Sequence, residues 1–190
     1  MSRRGDVYTN PVTGERVVVR HGTEDGPGTP AVDLYVQPGG AVVGAHVHPD
    51  ITERFTVVAG RVGLMIDGRS DEGGPGTTAT AAPGVPHDWW NAGDEEAHVI
   101  VELEGPSSER FEQMIIVLFG LAHEGKVNAK GLPGPLQLAV IAQEYDDVIR
   151  FLKPPRLVQK ALFGPLAALG RARGLRPSYP HHRELVVTRD

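Results

Sequence analysis

Three histidines and one glutamate in the first half of the chain have the types and spacing of a metal site. His46 and His48 are two residues apart, so both imidazoles project to the same face of a strand. Glu53 follows five residues later, and His87 lies 34 residues beyond Glu53. Three imidazoles and a carboxylate suit one divalent transition metal (Fe, Mn, Ni, Co or Zn), and the ligand types do not choose among these. A six-coordinate ion held by four protein ligands keeps two positions open for water, dioxygen or a chelating substrate.

The first half of the chain, which must position these residues, has the pattern of many short strands. The predicted strands are residues 16–20, 31–36, 42–48, 52–58, 61–67, 77–82 and 97–104. Residues 22–30 and 70–76 are predicted as turn-rich connections, and Asp67-Gly68 as a hairpin turn. Short strands at this spacing, with no helical pattern between them, predict an antiparallel sandwich or barrel.

The second half of the chain changes to a helical period and to the opposite charge. Residues 1–106 carry 16 acidic and 7 basic side chains, a net of −9, whereas residues 107–190 carry 8 and 12, a net of +4. One helix is predicted from Ser107 or Ser108 to Gly125, a second over residues 136–152 and a third from 156 to about 169, which Gly164-Pro165 interrupts. The tail from residue 176 is expected to be irregular. The sequence therefore predicts a β domain at 1–106 and a helical extension at 107–190.

The spacing of the metal-type residues and glycines resembles the cupin superfamily. The first cupin motif is present as Gly40, His46, His48, Glu53 and Gly60. The second is present as Gly76, Gly84, His87 and Asn91, with Ala82 where the family usually has proline. Fifteen residues separate the motifs, as in the small single-domain bacterial cupin-2 type, and the resemblance covers residues 7–104. It implies an all-β jelly-roll barrel, followed here by a C-terminal α-helical extension. It also implies a metal held inside the barrel by His46, His48, Glu53 and His87.

Side chains on the same faces as the ligands are the candidates for a substrate pocket. Trp89 and Asn91 have the strand parity of His87, and Phe55 has the parity of Glu53. Trp89 could stack a flat organic ligand, although tryptophan is also a common core residue. Glu53 is the candidate catalytic residue, because a carboxylate that leaves the metal can act as a general base on an enol or phenol.

These residues lead to one favoured function and two alternatives. The favoured function is a metal-dependent oxidoreductase of the dioxygenase type, acting on a small or aromatic organic molecule. A non-redox isomerase, cyclase or decarboxylase would use the metal as a Lewis acid. A non-catalytic cupin would bind or sense a small ligand at the same place. Glu53→Gln with the metal retained separates the catalytic hypotheses from simple binding.

The amino-acid composition limits the possible binding partners and the expected cellular compartment. The chain has no cysteine, which excludes disulfides and thiolate metal sites, and its net charge of −5 argues against nucleic acid. A cytoplasmic protein is expected, and the resemblance implies a homodimer.

Six basic and no acidic residues lie between positions 153 and 176, interleaved with apolar ones. This stretch is expected to pack on the barrel or on a partner subunit, without membrane association. The helical half is expected to carry no chemistry, and the remaining histidines (His21, His98, His123, His181 and His182) to be ordinary polar residues.

Overall fold

The computed structural model describes residues 2–40 and 44–188. The strands are β1 (Val7–Thr9), β2 (Arg16–His21), β3 (Ala31–Val36), β4 (His46–Val47), β5 (Thr52–Ala59), β6 (Val62–Ile66), β7 (Arg69–Gly73), β8 (Thr78–Ala81), β9 (His87–Asn91), β10 (Ala97–Glu104), β11 (Arg150–Phe151) and β12 (Val187–Thr188). The helices are α1 (Ser108–His123), α2 (Pro135–Glu144), α3 (Arg156–Ala172) and α4 (His182–Val186). Among the described residues, no helix is long and apolar enough to cross a membrane.

The strands form two antiparallel sheets. The larger sheet has the order β12-β1-β2-β3-β10-β5-β8, and the smaller has the order β11-β4-β9-β6-β7. Strands alternate between buried and partly exposed residues, most regularly in β10, where Val99, Val101 and Leu103 are buried. This period of two is what places one face of each strand on the core. Side chains from α1, such as Val117 and Leu121, belong to the same hydrophobic core as the strands.

The predicted strands agree with the sheets except where a strand is polar or short. The strands predicted at 31–36 and 97–104 have those bounds, and the predicted Asp67-Gly68 turn joins β6 to β7 with both residues at positive φ. The prediction that residues 70–76 form a connection was wrong for 70–73, because β7 pairs with β6 along its full length, and only residues 74–76 belong to the connection to β8. Strand β7 is exposed and polar, so it lacks the apolar alternation that marks a strand. Of the strand predicted at 42–48, residues 42 and 43 lie outside the described residues, and β4 covers 46 and 47.

The helical half differs from its prediction at three places. Helix α2 ends at Glu144 rather than 152, because a turn follows in which the backbone N–H groups of Val148 and Ile149 both donate to Tyr145 O. Strand β11 then pairs with β4. Helix α3 continues through Pro165 to residue 172 instead of breaking there. The tail beyond residue 176 is not irregular, since α4 and β12 form there and β12 pairs with β1.

Candidate metal centre

Strands of both sheets bring the four metal-type residues together. His46 in β4 is the direct cross-strand partner of His87 in β9, and His48 follows β4 at once. Glu53 comes from β5 in the other sheet, so the cluster spans the space between the sheets. All four side chains are buried, and each offers one ligand atom within 4.8 Å of the others.

Backbone carbonyls orient all three imidazoles. A carbonyl oxygen only accepts hydrogen bonds, so a neutral imidazole whose Nδ1 contacts a carbonyl carries its hydrogen on Nδ1 and a lone pair on Nε2. The Nδ1 donors and carbonyl acceptors are His46 to Gly44 at 2.7 Å, His48 to Val148 at 2.6 Å and His87 to Val85 at 2.9 Å. Such outer hydrogen bonds are the usual way in which a protein fixes the tautomer of a metal-binding histidine.

The inner nitrogens converge on one another and on the carboxylate. His46 Nε2 lies 3.2 Å from His48 Nε2, and Glu53 Oε2 lies 3.2 Å from His48 Nε2 and 2.9 Å from His87 Nε2. Four lone-pair atoms that face one another repel unless a proton or a cation lies between them. Three nitrogens and one carboxylate oxygen are a donor set that suits a divalent first-row metal. The cluster could therefore hold an ion, and its identity is open among Fe, Mn, Ni, Co and Zn.

Burial and the cluster itself set the protonation states. Burial lowers the pKa of His46 to about 4, which keeps this imidazole neutral at pH 7. Burial alone would raise the pKa of Glu53, but contacts with the His48 and His87 imidazoles, which donate to it when Nε2 carries a proton, outweigh burial and lower the pKa to about 2. For His87, burial lowers the pKa, but the hydrogen bond and charge of Glu53 raise it more. A metal ion therefore meets an ionised carboxylate and competes with a proton at His87.

The cluster lies on the wall of a mainly apolar cavity of ≈ 110 Å³. Its polar wall includes His46 and Glu53, and its apolar wall is shared between the large sheet and α1. Representative apolar residues are Val17, Val19, Leu34, Trp89, Val101 and Phe111. A water-poor wall next to a charged cluster strengthens electrostatic interactions there, because the local dielectric is low.

The C-terminal half supplies part of this site, which corrects the expectation that it carries no chemistry. The Phe111 ring of α1 packs edge-on against the His48 ring, with centroids 5.6 Å apart. Val148, in the turn after α2, provides the carbonyl that orients His48. Phe151 of β11 pairs with His46 of β4. The apolar helical pattern predicted burial of these segments, but it carried no information about which strand they contact.

The three predicted pocket residues have different surroundings. Trp89 lines the cavity. Phe55 is 1% exposed and lies behind the wall, with its ring centroid 6.1 Å from that of Trp89 and 6.3 Å from that of His87. The Asn91 amide donates to Val36 O and Glu95 O, and its oxygen accepts from the backbone of residue 93. Asn91 thus holds backbone segments together and does not line the cavity.

Two polar side chains that line the cavity were not predicted from the sequence. His21 lies on β2, and Glu15 immediately precedes it. Glu15 and His21 share inward parity with Val17 and Val19. Glu15 Oε2 accepts from Thr13 Oγ1 at 2.8 Å, whereas Glu15 Oε1 and His21 Nε2 are buried with no hydrogen-bond partner among the described residues. Burial raises the pKa of Glu15 to about 7. Continuing the period-two pattern one residue before the predicted strand at 16–20 would have found Glu15.

A second histidine–carboxylate cluster ties the tail to the end of α1. Nε2 of His181 and of His182 lie 3.0 Å and 3.2 Å from the two oxygens of Glu124, and Lys126 Nζ lies 3.0 Å from the same carboxylate. His182 is 0% exposed, and its ring occupies the space beside Gly120 where any Cβ would overlap it. The expectation that His182 is an ordinary polar residue was therefore wrong, because this imidazole is a buried packing element.

Comparisons with known proteins find one family and several solved structures that are similar to part of this chain. The family described as "Cupin domain" matches residues 33–102. Among solved structures, KdgF from Halomonas sp. aligns with a TM-score of 0.47 at 18% identity, over 54% of this chain and 89% of that one. An RmlC-like cupin from Shewanella frigidimarina aligns with a TM-score of 0.45 at 18% identity, over 55% and 86%. Oxalate decarboxylase from Lactobacillus farciminis, in a formate complex, aligns at 0.45 and 18% identity, over 53% and 31%. None of the curated proteins matches the chain.

Proposed function

We propose that this protein, a member of the cupin superfamily through residues 33–102, is a metal-dependent oxidoreductase of the dioxygenase type. Its substrate is a small or aromatic organic molecule bound inside the jelly-roll barrel. The observation that carries the proposal is the convergence of three imidazole nitrogens and one carboxylate oxygen on the wall of an apolar cavity. A charged cluster facing a water-poor space is an arrangement that favours chemistry on a bound organic ligand.

His46, His48, Glu53 and His87 hold the metal in this proposal. A bound ion would supply Lewis acidity and open coordination positions for an organic substrate and for dioxygen. The chain's own contribution is to aim three lone pairs inward through the carbonyl hydrogen bonds on Nδ1. Because these hydrogen bonds come from the backbone and not from the metal, they restrict the imidazole rings independently of it, and the site loses little conformational freedom on binding.

The cavity supports a substrate about the size of one aromatic ring. Its volume of ≈ 110 Å³ is somewhat smaller than the engineered cavity of about 150 Å³ that accommodates benzene in another protein. Trp89 and Phe111 provide aromatic surface next to the cluster. Glu15 provides a polar group on the same wall, and its free Oε1 can donate or accept a hydrogen bond because its pKa of about 7 leaves both forms populated.

Glu53 removes the proton from the substrate in the dioxygenase mechanism. While its carboxylate lies beside the two imidazoles its pKa is about 2, so it is a weak base in that position. It becomes a stronger base once its carboxylate turns away from those imidazoles towards the cavity, which it already lines. Glu53→Gln with bound metal is therefore expected to retain substrate binding and to lose turnover.

The decisive experiment is oxygen consumption by the metal-loaded protein. Metal-stripped protein is reloaded under argon with Fe(II), Mn(II), Ni(II), Co(II) or Zn(II) and assayed against enolic and phenolic compounds. The proposal expects oxygen uptake that is lost in His48→Ala and retained in His98→Ala, since His98 lies outside the cluster and pairs with Asp33. Turnover that is indifferent to oxygen would instead support the Lewis-acid isomerase, cyclase or decarboxylase. Tight binding without turnover for any metal would support the non-catalytic cupin.

A built-in reporter can identify the compounds to assay. The chain has two tryptophans, and Trp90 packs beside Gly63 on the opposite side of β9 from Trp89. Trp90→Phe leaves Trp89 as the single emitter, on the cavity wall. Ligands that enter the cavity are expected to change its emission, and the same compounds should cause no change in the matched Trp89→Phe variant.

A further inference from the structure

One side of α3 is fixed by packing on α2. Gln159, Ala167 and Gly170 of α3 are buried, and Ala167 belongs to a small core with Ala139 and Val140 of α2. A Cβ on Gly170 would lie 2.9 Å from Val140 Cγ2, so the two helices approach closely there. This contact determines which residues of α3 face away from the protein.

The side of α3 that faces away from α2 is apolar along more than four turns. At about 100° per residue, positions 157, 158, 161, 162, 165, 168, 169 and 172 span an arc of about 140°. All are exposed and none is polar or charged. Leu157 is 82% exposed, and Leu162 and Leu169 are 49% and 44% exposed. We call these eight positions the α3 apolar face. A continuous apolar stripe of this length on a protein surface indicates an interaction site rather than scattered exposure.

Basic side chains border the α3 apolar face along one side, at Lys160 and Arg171, and at both ends. No acidic residue lies between positions 153 and 176. The exposed basic residues are Lys153, Lys160, Arg171, Arg173 and Arg176. Over the ranges 2–40 and 44–188, none of these five forms an ion pair, whereas Arg156 pairs with Asp146. The face therefore combines apolar surface with uncompensated positive charge.

This combination selects an anionic lipid surface as the occupant. A second copy docked α3 against α3 would bury the apolar faces, but it would also bring two uncompensated basic clusters together. A bilayer with anionic headgroups accepts the leucines among its acyl chains and the Lys and Arg side chains at its charged surface. We propose that the α3 apolar face docks on a membrane containing anionic phospholipid, with α3 lying in the plane of the interface. The sequence favoured packing of this stretch on the barrel or on a partner subunit, and the structure packs only one side of α3, against α2.

Vesicle co-sedimentation of the full chain tests the proposal. Vesicles of phosphatidylcholine alone are compared with vesicles of phosphatidylcholine and phosphatidylglycerol in equal parts, at low and high salt. The wild type is expected to bind the anionic vesicles about tenfold more tightly and to lose this preference at high salt. Leu162→Ser combined with Leu169→Ser should reduce binding about tenfold. Leu185→Ser is the matched control, since Leu185 is also 44% exposed but lies on α4.

Three results would overturn the proposal. One is equal binding of the wild type and the double serine variant to anionic vesicles, with circular dichroism confirming that the variant is folded. Another is light scattering that gives a dimer for the wild type and a monomer for the double serine variant, with no vesicle binding by either. That result would assign the α3 apolar face to the homodimer that the cupin resemblance implies. Lys160→Glu combined with Arg171→Glu should abolish the preference for anionic vesicles, and an unchanged preference would also contradict the proposal.

Discussion

Replacing Glu15 by glutamine should make the protein more stable at neutral and alkaline pH. Glu15 is 5% exposed and lines the apolar cavity, with one oxygen bound to Thr13 and the other without a hydrogen-bond partner in the part of the chain that the structure describes. Burial favours its uncharged form, so the folded protein holds this proton more tightly than the unfolded chain does. Glutamine has nearly the same shape and never ionises, so Glu15→Gln removes the cost of burying the charge.

The magnitude follows from the pKa of the Glu15 carboxyl. Folding raises it from 4.5 to about 7, which at about 1.4 kcal/mol for each pKa unit corresponds to about 3 kcal/mol. Because the folded-state pKa is raised, the wild type has the full contribution below pH 4.5. It loses stability as the pH rises from 4.5 to 7, and the loss levels off above 7. The advantage of Glu15→Gln over the wild type should therefore grow by about 3 kcal/mol between pH 4.5 and pH 8.

Urea denaturation of the metal-free protein at several pH values measures this difference. Taking the variant minus the wild type at each pH removes the contributions of all other titrating groups. Glu24→Gln is the control, because Glu24 is an exposed carboxylate on the loop after β2, and its difference from the wild type should stay constant. If the Glu15→Gln difference is also constant with pH, the carboxyl is not buried in the cavity and our description of the cavity wall is wrong.

Three further predictions concern other parts of the site and the tail. Gly120→Ala should lower the free energy of unfolding by about 1–3 kcal/mol in urea denaturation, because the new Cβ would overlap the His182 ring. The control Gly134→Ala should change it little, because a Cβ on Gly134 meets no atom within 4 Å. Zn(II) binding should release more protons at pH 6 than at pH 8, because the raised pKa of His87 leaves it partly protonated at the lower pH. Calorimetry in buffers of different ionisation enthalpy measures the number of protons released. Equal release at the two pH values would contradict this prediction. Asn91→Leu should lower the free energy of unfolding by about 3 kcal/mol through its lost backbone hydrogen bonds without changing metal affinity, and the reverse pattern would make Asn91 a site residue.

Local sequence patterns were sufficient to predict most of the longer strands of the two sheets. The alternation of Val99, Val101 and Leu103 predicts β10 because burial on one face imposes a period of two. The His46–His48 spacing predicts two residues that share a strand face, and the structure brings them within 4.8 Å of Glu53 and His87. These features depend on neighbours along the chain, which a single sequence contains.

Features that depend on distant contacts were not predictable in this way. The β11–β4 pairing joins residues about a hundred positions apart, and the apolar period of the segment around Ile149 suits a helix as well as the observed turn. The apolar residues of α3 were likewise all predicted to pack on the barrel or on a partner subunit. The structure buries Ala167 and leaves Leu157 and Leu162 exposed, because α2 covers only one side. Which face finds a partner is decided by tertiary packing and not by periodicity.

Metal binding by matched variants tests the central claim most directly. The claim is that His46, His48, Glu53 and His87 hold one divalent ion at the wall of the cavity. Metal-stripped protein is titrated with Mn(II) and Zn(II) at pH 7.5, and bound metal is counted per chain. We predict one ion for the wild type and for His98→Ala, and an affinity at least about tenfold lower for His48→Ala. Equal affinity in His48→Ala and the wild type, or no binding of either metal by the wild type, would contradict the account.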